Sequence, residues 1–320
     1  MASIVDLSSS SRVSRTVDEL PVIPADNAVP AFDSRRSPVA RVQPGDTIRL
    51  RTSSRPAEAM FAAGRGWLNA LDMSSINMLT GPVFIEGVEP GDAVVVEILE
   101  ITPDSWGWVA AIPGMGLLGR MIQEPFLQRL KIEAGQVQIS EALSVPVKPC
   151  IGCIGVAPPR GASSSLSPVY PWGGNYDLQQ MRVGAVACFP AQVSGGLFYV
   201  GDLHASMGKA EPTSVALECS GTVTLQFSVA KKAQLKHPIL CESNRVSFFG
   251  IGGSHGEASR EAVESAFQAL TERCGYSEEE AYALVCGAAD LELGGPAGHL
   301  VLASLPLSHV AGVARFFGFE

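Results

Sequence analysis

Val83-Phe84-Ile85-Glu86-Gly87-Val88-Glu89-Pro90-Gly91-Asp92-Ala93-Val94-Val95-Val96-Glu97-Ile98-Leu99 sets two apolar, β-branched runs on either side of a Pro-Gly-Asp turn. Val and Ile favour the pleated surface of a sheet, proline presets a turn dihedral, and glycine supplies backbone conformations closed to other residues. The same device stands upstream, where Pro44-Gly45-Asp46 separates Val39 and Arg41 from Thr47, Arg49 and Arg51. Each copy reads as a hairpin. Further strand-like runs at 137–139, 145–156, 186–193 and 221–229 are divided by Gly, Pro or Ser. Many short strands with frequent turns predict a β-sandwich or barrel-like core.

The pattern changes only toward the C-terminus. Ala258, Ala262, Val263, Ala266, Phe267 and Leu270 recur at helical spacing, and Gly275 ends that segment. Ser277-Glu278-Glu279-Glu280 then opens a second helix with a capping-box arrangement, burying Ala281, Leu284, Val285 and Ala288. Segments 290–293 and 299–303 read as closing strands. The predicted fold is therefore mainly β with an α+β part. A β-rich core with an N-terminal arm occupies 1–230, and a C-terminal part with a helix hairpin, packed on that core, occupies 231–320.

Composition narrows the function. The 320 residues suffice for a large core, and with 17% charged residues, 33 Gly and 22 Pro the chain favours turns over long polar helices. A net charge of -9 and the lack of a Lys/Arg-rich run argue against a nucleic-acid surface, which depends on clustered cations. No stretch is long enough to span a bilayer, and Ser-rich residues 1–15 lack the continuous apolar run of a secretory signal. The cytoplasm is the expected compartment and a small molecule the expected partner. The 46% apolar content and the strand edges of such a fold point to a homodimer. Seven scattered cysteines read as reduced core residues. Cys150-Ile151-Gly152-Cys153 has no second Cys/His pair at suitable spacing and reads as a buried strand rather than a zinc or redox motif.

Chemistry concentrates in Gly201-Asp202-Leu203-His204-Ala205-Ser206-Met207-Gly208-Lys209-Ala210-Glu211. In an extended chain Asp202 and His204 present a carboxylate and an imidazole to one point, and a turn at Gly208 returns Glu211 as a third group. The alternative is a turn cap and a hydrogen-bonded surface histidine. Glu86 reads either as a general base facing a pocket or as half of a turn salt bridge. Asn175 and Asp177 alternate after Gly173-Gly174, whose bare backbone admits a ligand; an Asx-turn explains them equally. Trp172 either walls a substrate pocket or packs. His237, His255, His299 and His309 read as structural or exposed, with His255 notable because a Gly-rich loop there enters a helix. Ser163-Ser164-Ser165 has no spaced lysine and reads as a loop.

Several of these runs together resemble the acetamidase/formamidase family. The run Asn77-Met78-Leu79-Thr80-Gly81-Pro82-Val83-Phe84-Ile85-Glu86-Gly87-Val88-Glu89-Pro90-Gly91-Asp92-Ala93-Val94-Val95-Val96-Glu97-Ile98 matches the family's N-P-x-T-G-P-x-x-V-E-G-A-E-P-G-D-x-L-x-V-E-I. Pro113-Gly114-Met115-Gly116-Leu117-Leu118 resembles its P-G-x-G-x-L loop, and 149–158 its P-M-I-G-x-I-G-V-A-P strand. The Gly-Asp-x-His run resembles its G-D-x-H-x-x-x-G-D-G-E, and 276–291 its C-terminal helix pair. The resemblance implies hydrolysis of simple amides with a divalent metal, commonly zinc, on a β-sandwich. It places Asp202, His204 and Asp177 at the metal, Glu86 or Glu211 as the group that activates water, and Trp172, Gly173, Gly174 and Asn175 at the substrate. The chain departs from the family at Trp172 and Ala28, where members carry His, and at Ala210, where many carry Gly, with Lys209 replacing an Asp. These departures suggest a larger or cyclic amide, such as a lactam. Two other readings stand beside it: a non-hydrolytic tailoring enzyme of secondary metabolism catalysing cyclisation or isomerisation, and a non-catalytic binding protein.

Overall fold

Two long antiparallel strands, Ala93–Ala111 and Leu217–Ala230, pair from Ala93↔Ala230 to Trp108↔Glu218, with register shifts between Thr224 and Leu225 and between Cys219 and Gly221, and form the spine of the molecule. The computed structural model describes residues 20–319 and the backbone of Val5–Asp6; the Ser-rich segment 1–15 otherwise lies outside the described residues. On one side of the spine Thr47–Arg51 pairs with Leu217–Ala230. On the other, Val186–Pro190 pairs with the first half of Ala93–Ala111 and passes the sheet on to Ile239–Glu242, Arg245–Gly252, His299–Pro306 and Asp290–Leu293. A second layer runs through Ala40–Val42, Leu79–Ile85, Phe198–Ser206, Cys150–Val156 and Gly173–Asn175. The layers join at one seam, where Leu203 and His204 pair with Cys219 and Glu218.

The apolar run of 93–98 is explained by burial on both faces. Val94, Val96 and Ile98 enter the core between the layers, while Ala93 and Val95 face a second core beneath the C-terminal helices. Strands covered on both sides lose the polar alternation of a half-exposed sheet. The expected helices are His255–Cys274 and Glu278–Ala288, the second with a complete capping box from Ser277 and Glu280. Ala258, Ala262, Ala266 and Ala269 face the sheet, and a Cβ at Gly250 would collide with the backbone at Ala258 and Ala262, so the helix lies directly on the strand. The second core draws on residues both before and after 230.

The two Pro-Gly-Asp turns form, but neither closes a hairpin. Ala40–Val42 pairs with Leu79–Ile85 whereas Thr47–Arg51 pairs with Leu217–Ala230, and the strands flanking Pro90-Gly91-Asp92 likewise go to different partners. The turns are arches from one layer to the other: period and turn chemistry mark where strands end, but the choice of partner is long-range. Of Ser163-Ser164-Ser165, read as a loop, the first two belong to a short strand, Ala162–Ser164, paired with Ala31–Asp33. No helix among the described residues is long and apolar enough to cross a membrane.

Candidate active site

Strand register at the seam assembles the site. Cys150 pairs with His204, His204 with Glu218, and Cys153 with Asn175, so three elements distant in sequence place their side chains around one imidazole. His204 Nε2 lies 3.5 Å from Glu218 Oε2, 3.6 Å from Asp202 Oδ2 and 3.8 Å from Asp177 Oδ1. Glu211 returns through a turn closed by its N–H to the Gly208 carbonyl, bringing its carboxyl together with Asp177 and His204. Asp177, His204, Glu211 and Glu218 are buried. Beneath them Gly152 is required by space, since a Cβ there would run into Asp202, Asp177 and His204.

The acidic groups are held rather than merely gathered. Asn77 Nδ2 donates to Asp202 Oδ2 at 3.2 Å, Asn175 Nδ2 to Asp177 Oδ2 at 2.8 Å, and the Ala216 N–H to Glu218 Oε1 at 3.0 Å. The Cys153 thiol donates to Asn175 Oδ1 at 2.8 Å. Asp177, Asp202 and Glu211 adopt φ of 45°, 57° and 39°, a left-handed region that residues with a side chain rarely enter. Strain of this kind persists where surrounding structure enforces it, commonly at functional sites.

Setting four carboxyls, three of them buried, around one histidine forces a choice between protons and a cation. In the bare protein, burial drives the Asp177 carboxyl well above the usual carboxylate range, with the Glu211 and Asp202 charges adding and His204 opposing. Burial likewise pushes Glu211 and Glu218 up to about 8, with neighbouring carboxylates adding. Burial alone would lower His204, but the Glu218 and Asp202 charges outweigh it and hold the imidazolium well above its ordinary range. Asp177 Oδ1 is buried and has no hydrogen-bond partner. An orphaned acceptor aimed at His204, within two overlapping sets of ligand atoms, Asp177–His204–Glu211 and Asp202–His204–Glu218, fits a divalent cation with oxygen and nitrogen ligands.

The structure thus brings together Asp177, Asp202, His204, Glu211 and Asn175, and leaves other expected residues elsewhere. Glu86 pairs with Arg41 at 2.9 Å, a third exposed, and does not line the cavity over the cluster. Trp172 stacks on Tyr170 with ring centroids 5.2 Å apart and packs against the core, again away from that cavity. Gly173 and Gly174 give their bare backbone to Gly155 and Val169 rather than to an open ligand space, because the strands approach too closely for side chains. His255 lies exposed at the start of its helix, edge-on to His299. Sequence reasoning missed Glu218 and Asn77. Glu218 carries a recoverable signal, an acidic residue in the otherwise apolar β run 215–219; Asn77 carries none beyond its motif. Cys150 and Cys153 are buried and reduced, yet Cys150 Sγ lies 3.8 Å from His204 Nδ1, against the cluster rather than in generic core.

Above the cluster opens a cavity of about 80 Å³, several times the space one water needs, into which Asp202, Glu211 and Glu218 face. The family model described as the Acetamidase/Formamidase family matches residues 34–167 and 161–295. A formamidase of Methylophilus methylotrophus is 25% identical over a 338-position alignment, covering 79% of this chain and 81% of its own. An acetamidase from Bacillus halodurans superposes with a TM-score of 0.83 at 30% identity, covering 90% of this chain and 98% of that one. A predicted acetamidase/formamidase from Thermoanaerobacter tengcongensis gives a TM-score of 0.85 at 28% identity, covering 93% and 98%. Matched in sequence over most of its length and in fold over nearly all of it, this chain belongs to the Acetamidase/Formamidase family.

Proposed function

We propose that the protein hydrolyses a carboxamide or cyclic amide by attack of water on the amide carbonyl, assisted by a divalent cation, zinc by resemblance, held by Asp177, Asp202 and His204. Its family makes it an amidohydrolase acting on carbon–nitrogen bonds other than peptide bonds. The observation that carries the reading is the buried cluster around His204, four carboxyls and one imidazole at the floor of a cavity. When bound there, a divalent cation polarises the amide carbonyl and makes water at the site more acidic.

The chain's own groups supply the rest. Asn77 and Asn175 fix the carboxylates of Asp202 and Asp177, as hydrogen-bonded outer partners do for ligands in general. Glu211, which faces the cavity, takes a proton from the attacking water and returns it to the departing nitrogen. Glu218, anchored on the Ala216 N–H, adds a carboxylate beside His204 that would help neutralise a bound cation. Glu86, committed to Arg41, takes no part.

The test is product analysis with linear amides and lactams, measuring ammonia from the former and ring-opened amino acid from the latter, with His204→Ala as the control. Hydrolysis that disappears in the variant supports the proposal. A rearranged but unhydrolysed product would indicate a tailoring enzyme instead, and binding without turnover a non-catalytic protein; either result overturns it.

A further inference from the structure

We infer that the scissile amide carries an uncharged, apolar acyl group of several carbons, recognised by a wall formed by Met60, Trp67, Leu71, Ile76 and Trp108. This rests on the amide-hydrolase reading and names its substrate class. The cavity has two chemically opposed parts. Asp202, Glu211 and Glu218, with Asn77 and Asn175, form the polar floor, and the five wall residues stand across the same space.

The wall is a separate construction. It comes mainly from residues 55–76, where the short helices Arg55–Ala62 and Trp67–Ala70 lie apart from the sandwich core. Met60 and Trp67 are buried with Ala57 and Ala110 in a hydrophobic cluster of their own, against which Leu71, Ile76 and Trp108 pack. Helices of eight and four residues are too short to hold themselves, so their order depends on this burial. The cluster does not close on itself, because part of its apolar surface is turned toward the acidic floor.

A hydrogen or methyl on the amide carbon would leave that surface facing water. An acyl chain laid against it removes apolar area from water, and each buried methylene is worth about four-fold in kcat/KM. Methionine at position 60 and two indole faces adapt to straight, branched or ring shapes. The space of about 80 Å³ accommodates a group of a few carbons. No Lys or Arg is among the described residues lining the cavity, and three carboxyls are, so an acyl group ending in a carboxylate meets repulsion without a counter-charge.

The experiment is kcat/KM for the metal-loaded protein across acetamide, propionamide, butyramide, pentanamide and the anionic succinamate. The expected profile rises about four-fold per methylene, with succinamate about 10²-fold or more below pentanamide. Leu71→Trp, which fills the wall, should lower the pentanamide-to-acetamide ratio about ten-fold or more. A flat or falling profile with acetamide still hydrolysed overturns the inference and leaves the amidase reading standing. Failure of every amide overturns that reading, and the inference with it. The length series on the unaltered protein decides the matter even where the variant does not fold.

Discussion

The helix-covered sheet at the C-terminus and the seam around His204 are buried to a similar degree, yet they are built on opposite terms. Beneath His255–Cys274 the contacts are small and apolar, alanine against strand, and the helix ends are capped locally: Ser254 caps its start and Gly275 ends it in a left-handed turn with φ of 76°. At the seam four carboxyls crowd one imidazole, and three of the acidic residues sit in unfavourable backbone conformations. The first region contributes stability and no chemistry. The second surrenders stability for chemistry, since a buried charge without a partner is costly and a protonated one is poised to transfer its proton.

Substitutions should separate the two regions cleanly. The largest effect is expected from Glu211→Gln, which removes the proton carrier and should lower kcat for amide hydrolysis by about 10²–10⁴-fold while the folded protein remains. Steady-state kinetics and a thermal melt read this together; an active Glu211→Gln protein would move the base elsewhere. Ala262→Leu on the helix face should do the reverse, destabilising by about 1–3 kcal/mol through overpacking with no change in kcat of the protein that folds. A denaturant titration checks it.

The pH response of the metal-free protein sharpens the contrast. Glu211 and Glu218 titrate near 8 in the folded chain against an ordinary 4.5, so between those values the native state holds more protons than the unfolded chain. His204, raised in the folded state, acts in the same direction, its contribution present below its ordinary 6.5 and lost as pH rises through its folded midpoint. Stability of the metal-free protein should therefore fall as pH rises from about 4.5 through about 8. A divalent cation should remove most of that slope, and Glu218→Gln should raise the metal-free melting temperature by about 2–4 °C per kcal/mol relieved. Melts that rise with pH across this window would contradict the buried-carboxyl account.

Smaller effects complete the series. Ser277→Ala deletes one half of the capping box and should cost about 1 kcal/mol, seen in chemical denaturation. Glu86→Gln breaks only a partly exposed ion pair and should change stability by about 0–1 kcal/mol, with activity unchanged. A large activity loss at Glu86 would return it to the site.

What could be read from the chain follows the same division. The helix pair was legible because its signals are local: apolar spacing, a capping box and a terminating glycine all fall within one segment. Asp202, His204 and Glu211 were legible because a strand end and one short turn carry all three. Glu218 was not, because only the cross-strand register opposite His204 gives it meaning, and nothing near it in sequence announces that register. The Pro-Gly-Asp turns show the same limit, since their strand ends were plain while their partners lay far along the chain, Thr224 opposite Arg49 and Cys188 opposite Val95. Trp172 left two readings open for a related reason: a tryptophan at a motif position looks like a pocket wall or a packing residue, and it stacks on Tyr170 while Trp67 and Trp108 line the cavity.

The central claim is that the cluster around His204 is a divalent-metal amide-hydrolysis centre. It is tested most directly by ammonia release from butyramide before chelation, after chelation, and after return of one equivalent of Zn²⁺. The account predicts a loss of at least about 10²-fold on chelation and recovery on metal return. Undiminished ammonia release from protein shown to contain no metal would contradict it.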